Sequence, residues 1–177
     1  MARTTFQGPV RSLNGFYSQG PGNIVNIPNG TNTITLDVET FAGKIIRTND
    51  ATLIITLPTI NASADSSAGG PGTSPNTPNN LGTTYTIFVE TAATALTIRT
   101  AVAADLFVGS LEVVGGSNAS STFAPNGSSN DFINMNGGTT GGAAGSYVVI
   151  TALAANKYFV QGVLLGSGSA ATPFADA

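Results

Sequence analysis

The sequence is a succession of short runs rich in Thr, Val, Ile and Phe, separated by Gly, Pro and Asn. In one such run, residues 31–38, apolar and polar side chains alternate, so that Ile34, Leu36 and Val38 share a face. Alternation with a period of two is typical of half-buried β-strands, and the sequence lacks the 3.6-residue period of amphipathic helices. The pattern therefore predicts an all-β fold, an antiparallel β-sandwich or barrel of the jelly-roll type.

Two β-hairpins are predicted from adjacent runs. Residues 84–90 and 95–100 flank a four-residue linker, and pairing them places Ile87 opposite Ile98 and Val89 opposite Leu96. That register gives both strands one shared apolar face. Residues 147–152 and 157–165 form the second hairpin, which is apolar on both faces, as expected for a central strand pair or an interface strand.

Gly- and Pro-rich stretches divide the chain into an arm, a body and a tail. We expect residues 1–30 to form an extended N-terminal arm, 31–166 a single β domain, and 167–177 a C-terminal tail of small residues. Residues 61–82 and 115–145 exceed the usual length of a connection and are predicted to be long surface loops. The strands show no fixed period of 20 to 50 residues, which argues against a repeat architecture.

The scarcity of charge excludes several functional classes. The 177 residues include 6 basic and 9 acidic ones, 8% of the chain, compared with about 25% in an ordinary globular domain. With His 0 and Cys 0, Ser-His-Asp and Cys-His centres, imidazole or thiolate zinc sites and disulfides are all excluded. We therefore expect no catalytic residues, no cofactor and no metal site.

The distribution of charge and apolar residues also limits the partners. Six scattered cations form no basic stripe that could neutralise several phosphates, so we expect no binding to nucleic acid. The apolar runs are far too short to span a bilayer, and we expect no membrane partner. The start MARTTFQGPV contains no apolar h-region, which predicts synthesis in a cytoplasm without a secretion signal.

The sequence favours assembly with neighbouring molecules. Thr and Asn keep a surface polar, yet they lose less side-chain entropy than Lys or Glu when they are packed against a partner. The arm carries Arg3 and Arg11 but no acid before Asp37, and large apolar residues are spread along it. Such a cationic segment could lie across an acidic lattice and become ordered on binding.

The stretch TTFQGPVRSLNGF, residues 4–16, resembles the opening T-x-F-x-G-P-V-[KR]-S-x-x-G-F of small virion proteins from tailed phages, particularly marine ones. The body is similar to the same capsid decoration and head-fibre family in FAGKIIRTNDATLIITLP, LGTTYTIFVETAATALTIRT, AADLFVGS and SYVVITALAANKYFVQGVLLGSG. Two positions depart from the pattern: Ala104-Asp105 stands in place of Gly-Asp, and Tyr158-Phe159 in place of a frequent Trp. Tyr or Phe can serve as the same core anchor.

The resemblance implies a structural virion protein that is not an enzyme: a capsid decoration (cement) protein that binds the outer surface of a phage head and stabilises it. It implies a homotrimer, with the major capsid protein as its partner, located on the capsid surface of the virion. Candidate capsid contacts lie in the arm and are Phe6, Pro9, Val10, Arg11, Phe16 and Tyr17.

Two alternatives remain open. The first is a phage tail-fibre or head-fibre adhesin that binds host surface glycans through the loops at 61–82 and 115–145. The second is a carbohydrate-active enzyme that uses two paired carboxylates, although a chain with Trp 0 and Tyr 4 offers few aromatic platforms for a sugar.

Overall fold

The computed structural model describes residues 23–62, 80–117 and 119–176, and it confirms the all-β prediction. Two sheets pack face to face as a sandwich, and no closed barrel forms among these residues. The elements are β1 (Ile24–Ile27), β2 (Thr33–Thr35), α1 (Val38–Phe41), β3 (Ile45–Thr48), β4 (Ile54–Thr56), β5 (Thr84–Val89), β6 (Leu96–Arg99), β7 (Leu106–Val114), β8 (Ser120–Phe123), β9 (Phe132–Met135), β10 (Tyr147–Ala154), β11 (Lys157–Leu165) and β12 (Phe174–Ala175).

The two sheets differ in size and both are mixed. The large sheet has seven strands in the order β1-β3-β5-β10-β11-β7-β8, and the small sheet has five in the order β12-β9-β6-β4-β2. Parallel pairs include β1 with β3, β3 with β5, β7 with β11, β2 with β4, and β4 with β6. The prediction of a purely antiparallel, jelly-roll sandwich is therefore wrong, although the sandwich itself is correct.

The first six strands form a repeat that the sequence analysis missed. Each turn of chain adds one strand to the large sheet and the next to the small sheet, so equivalent strands become parallel neighbours. Ile24 lies level with Ile45 and Thr33 with Ile54, both spacings of 21 residues. The segments IVNIPNGTNTITL and IIRTNDATLIITL match along this register. The third turn is longer because residues 63–79 are inserted between β4 and β5.

This repeat overturns the first predicted hairpin. β5 belongs to the large sheet and β6 to the small one, so Ile87 and Ile98 are not ladder partners. Ile87 lies level with Ile46, and Ile98 lies level with Ile55, each in the preceding turn. The second hairpin is confirmed, because β10 and β11 pair antiparallel at the centre of the large sheet.

The structure also corrects three segment boundaries. Residues 115–145, expected to be a loop, contain β8 at the edge of the large sheet and β9 within the small sheet. The tail at 167–177 contributes β12, whose Phe174 is buried against the core. The arm predicted for residues 1–30 ends earlier, because β1 already pairs with β3.

One continuous hydrophobic core fills the space between the sheets. It takes the inward side chains of both, including the fully buried Ile46, Ile55, Ile87 and Ile98 on the repeated turns and Phe107 on β7. The core leaves each sheet with an outer face, and these two outer faces differ in chemistry.

Candidate interaction surfaces

The contact residues predicted in the arm lie outside the described residues. They are Phe6, Pro9, Val10, Arg11, Phe16 and Tyr17, all within residues 1–22. The described chain begins at Asn23, whose carbonyl oxygen accepts a hydrogen bond from the amide of Ile45 at 2.9 Å. The arm therefore joins the sandwich at the edge of the large sheet.

The outer face of the large sheet is apolar across most of its width, and we call it the outer apolar face. Phe88 lies level with Tyr147 on the neighbouring strand, and Tyr147 lies level with Val163 on the next. Tyr147 is 41% exposed, and at the β1 edge Ile24 and Ile45 are 49% and 43% exposed. Strand side chains alternate between faces, and polar residues such as Thr84, Thr86 and Gln161 lie among the apolar ones. The apolar residues of this face are Ile24, Ile45, Phe88, Leu106, Val108, Val114, Tyr147, Val149, Leu153, Phe159, Val163 and Leu165.

Charge on the outer apolar face is sparse and balanced. By the same alternation, the described strands and their ends contribute Arg47, Glu90, Glu112 and Lys157 to this side. Arg47 Nε lies 2.9 Å from Glu90 Oε2 in an ion pair that is partly open to solvent. An extended apolar surface without net charge is characteristic of a protein contact site.

The outer face of the small sheet is polar in comparison. Thr97 donates a hydrogen bond to Asn134 Oδ1 at 2.8 Å, and Arg99 Nε donates to Thr56 Oγ1 at 3.1 Å. At the free edge of this sheet Thr33 and Thr35 are exposed. By alternation Ile54 and Phe132 also lie on this face, so it is more polar than the outer apolar face but does not lack apolar side chains.

A second candidate site lies where the segment 63–79 leaves and rejoins the described chain. Asn61 and Asn80 join the two ends of this segment, and we call this pair the neck. The amide of Asn80 donates to the Asn61 carbonyl at 3.1 Å, and the amide of Asn61 donates to Asn80 Oδ1 at 2.8 Å. The neck therefore holds the ends of the long segment at a fixed separation.

Two buried side chains, Asp105 just before β7 and Tyr158 on β11, fix the segment between the end of β4 and the neck. Asp105 accepts a hydrogen bond from the amide of Ile60 at 2.9 Å, and Tyr158 donates from its hydroxyl to the Pro58 carbonyl at 2.6 Å. Burial raises the pKa of Asp105, and the hydrogen bond from Ile60 opposes that shift. Burial also raises the pKa of Tyr158, with smaller contributions from Tyr85 and Asp105. Sequence analysis missed these residues, because their contacts join positions far apart in the chain.

Removing the Tyr158 hydroxyl should loosen the segment before the neck. We expect Tyr158→Phe to lower the free energy of unfolding by about 1 kcal/mol, because the partly buried Pro58 carbonyl loses its donor. The ring keeps its packing against Phe107, with centroids 6.5 Å apart. Urea unfolding measures the change. Tyr147→Phe, on an exposed ring, is the matched control and should have almost no effect; equal losses in the two variants would contradict this role for the Tyr158 hydroxyl.

Most of the described carboxylates hold parts of this chain in place. Asp37 accepts from the Thr40 amide at the start of α1, and Asp176 accepts from Ser129 and Asn130. Asp50 accepts from two backbone amides. In the part of the chain that the structure describes, no group of three or more His, Cys, Asp or Glu could hold a metal ion. No helix within these ranges is long and apolar enough to cross a membrane.

Comparison with known proteins adds no relative: no family model, no curated protein and no solved structure matches this chain. The outer apolar face and the neck are therefore the features from which a function can be argued.

Proposed function

We propose that this protein is a structural, non-enzymatic capsid decoration protein that lies flat on the outer surface of a phage head and stabilises it. The difference between the two outer faces is the observation that carries the proposal. One sheet presents Tyr147, Ile45 and many further apolar side chains to the outside, whereas on the other sheet Ile54 and Phe132 lie among hydrogen-bonded Thr, Asn and Arg. A protein that stays in solution alone has no use for the first kind of surface.

Docking through this face has a low entropic cost. Apart from the edge strands β1 and β8, the strands of the outer apolar face are held on both sides by ladders, so most of its backbone is ordered before binding. Its side chains are largely β-branched or aromatic, and these lose little rotamer freedom on contact. The free energy gained by burying them is therefore available for attachment to the major capsid protein.

The arm supports the same orientation. Asn23 hydrogen bonds to Ile45, so the arm is joined to the sandwich at the edge of the same large sheet that carries the outer apolar face. Phe6, Pro9, Val10, Arg11, Phe16 and Tyr17 can then contact the same partner as the sheet does. In this proposal the protein resides on the virion surface, and neither nucleic acid nor membrane is a partner.

Charge placed on the outer apolar face should weaken attachment. We expect the double variant Ile45→Lys/Tyr147→Lys to bind decoration-free phage heads roughly a hundredfold more weakly, since loss of two central apolar contacts commonly costs about 3 kcal/mol. The matched control is Thr33→Lys/Thr35→Lys, which adds the same charge to exposed positions of the small sheet. Cosedimentation with heads measures both.

The control variant should bind as tightly as the wild type. If both double variants lose affinity equally, net charge rather than the outer apolar face controls binding, and the proposed orientation is wrong. If neither loses affinity, the sheet does not contact the head. All four substituted positions are exposed, so circular dichroism should be unchanged in both double variants. A loss of binding then cannot be attributed to a fold defect.

The neck favours a second candidate, the adhesin. A long segment whose ends are fixed by Asn61 and Asn80 is the arrangement that recognition loops use on rigid scaffolds. In that case the isolated protein would bind host cells or a glycan array, and replacing residues 63–79 by a short Gly-Ser linker would abolish the binding while leaving attachment to heads intact.

A further inference from the structure

The repeated turns end in an open side of the sandwich. β1 is the edge strand of the large sheet and β2 that of the small sheet, and both belong to the first turn. The carbonyls of Asn23 and Ile27 accept from β3 and its following residue, so the backbone groups of Ile24 and Asn26 point to the free edge. By the same alternation Thr35 points outward from β2, because Leu36 donates to Thr56.

The features that normally protect such an edge are missing from the described first turn. Natural sheets block their edges with charged residues, prolines, bulges or covering elements. Residues 23–36 contain no charged residue, and neither β1 nor β2 contains proline. The side chains of Val25 and Ile34, which pack against the core, are only partly buried there. A terminal repeat with partly exposed core residues requires a cap.

We propose that this open side is the contact surface for a second copy of the chain, related by a two-fold axis normal to the sheets. Such an axis places the large sheet of the second copy in the same layer as the large sheet of the first, and likewise the two small sheets. β1 then pairs antiparallel with β1 of the second copy, while β2 pairs with β2, and both open edges are satisfied in one contact. A single added peptide strand would satisfy only one of them.

Charge and side-chain chemistry fit this isologous contact. The edge strands β1 and β2 are themselves uncharged, the exposed acids Asp37 and Glu39 lie beyond the end of β2, and the Arg47–Glu90 pair is internally neutral. Ile24 and Ile45 would join their counterparts in one apolar stripe, so the two outer apolar faces lie side by side on one surface. The pair differs from the trimer that the family resemblance implies, and it does not depend on attachment to a phage head.

A proline at the free edge tests the contact. Ile24→Pro removes an amide that points away from β3, and proline is tolerated as the first residue of a strand. We expect the full-length wild type to be a dimer by light scattering and Ile24→Pro to be a monomer. Ile24→Thr removes the apolar side chain but keeps the amide, and it should remain largely dimeric.

A second control lies at the other edge of the same sheet. Because Gly115 donates to Ala119, alternation places the backbone of Thr122 on the free side of β8. Thr122→Pro should leave the dimer intact. Hydrogen exchange adds a direct readout: the amides of Ile24 and Asn26 should be protected in concentrated wild type and should exchange faster on dilution.

Several results would overturn the inference. A monomeric wild type would do so, whether these amides are free or are protected by residues 1–22, which deletion of residues 2–22 would reveal. A trimer, or a dimer that Ile24→Pro leaves unchanged, would do so as well. Each of these results can occur with or without binding to heads, so failure of this proposal is distinguishable from failure of the proposed function.

Discussion

Replacing Gly162 by Ala is expected to lower the free energy of unfolding by roughly 3 kcal/mol or more, because overpacking here meets only backbone. A Cβ at this position would lie 2.2 Å from the carbonyl oxygen of Tyr147 and 3.0 Å from Cα of Val148. Both atoms belong to β10, which is held by β5 on one side and by β11 on the other. The clash can be relieved only by separating the central strand pair.

Gly138→Ala is the matched control for this prediction. Its added Cβ would meet the Asn136 side chain at 3.4 Å, an ordinary contact, and its backbone is not left-handed. We expect a change within about 0.5 kcal/mol, as for most surface substitutions. Urea unfolding at constant m-value compares the two variants. Similar losses in both would show that the Tyr147 carbonyl does not limit the space at Gly162.

The two predicted hairpins show what local sequence pattern can establish. Alternation correctly placed Ile87 and Ile98 in the core, where both are fully buried. It could not identify their ladder partners, since these come from the preceding turn of the chain rather than from the adjacent run. In β10 and β11 the adjacent run is also the partner, so the same reasoning succeeded. Period-two pattern fixes the face of a strand but not its neighbour.

The 21-residue repeat was hidden by its third turn. Ile34, Ile55 and Ile98 occupy equivalent positions in the small sheet, but the insertion between β4 and β5 lengthens the last interval. A constant period therefore spans only two turns, too few to stand out against the Thr- and Ile-rich background. Parallel pairing follows from that repeat, which explains why the antiparallel prediction failed.

Composition misled the reading of residues 115–145. β8, with the sequence SSTF, lies at an edge and is mostly exposed, so it needs few apolar residues to pair with β7. Composition predicts loops from Gly, Ser and Asn, whereas β8 forms because it pairs with β7.

The outer apolar face could be recognised in the sequence, because the run that forms β11 is apolar on both faces. Burial alone would require apolar residues on only one.

Substituting Asp50 is expected to have the second large effect. Its carboxylate is buried and accepts from the amides of Asn32 at 2.8 Å and Thr52 at 2.9 Å. Asn32 adopts a left-handed φ of 60°, so this contact ties the β1–β2 connection of the first repeat to the β3–β4 connection of the second. In Asp50→Asn one of the two accepting oxygens becomes an NH2 group, which cannot accept from a backbone amide. We expect the free energy of unfolding to fall by about 1–3 kcal/mol at neutral pH. Urea unfolding measures it.

The pH dependence of that loss separates hydrogen bonding from burial. Hydrogen bonds, that from Asn32 first, lower the pKa of Asp50 from 3.8, so its stabilisation is complete above that value and is lost as pH falls through the lowered pKa. The deficit of Asp50→Asn should therefore shrink in acid.

Asp105→Asn, which keeps an acceptor for Ile60, should behave in the opposite way. Burial raises the pKa of Asp105, so the folded wild type is penalised at neutral pH and regains that stability as pH falls toward 3.8. The variant should be at least as stable as the wild type at neutral pH, with the difference vanishing in acid. Unfolding curves from neutral pH into acid should give stability differences of opposite sign at neutral pH for the two Asn variants, and both differences should shrink as pH falls. Differences of the same sign would mean that one of these two environments is assigned incorrectly.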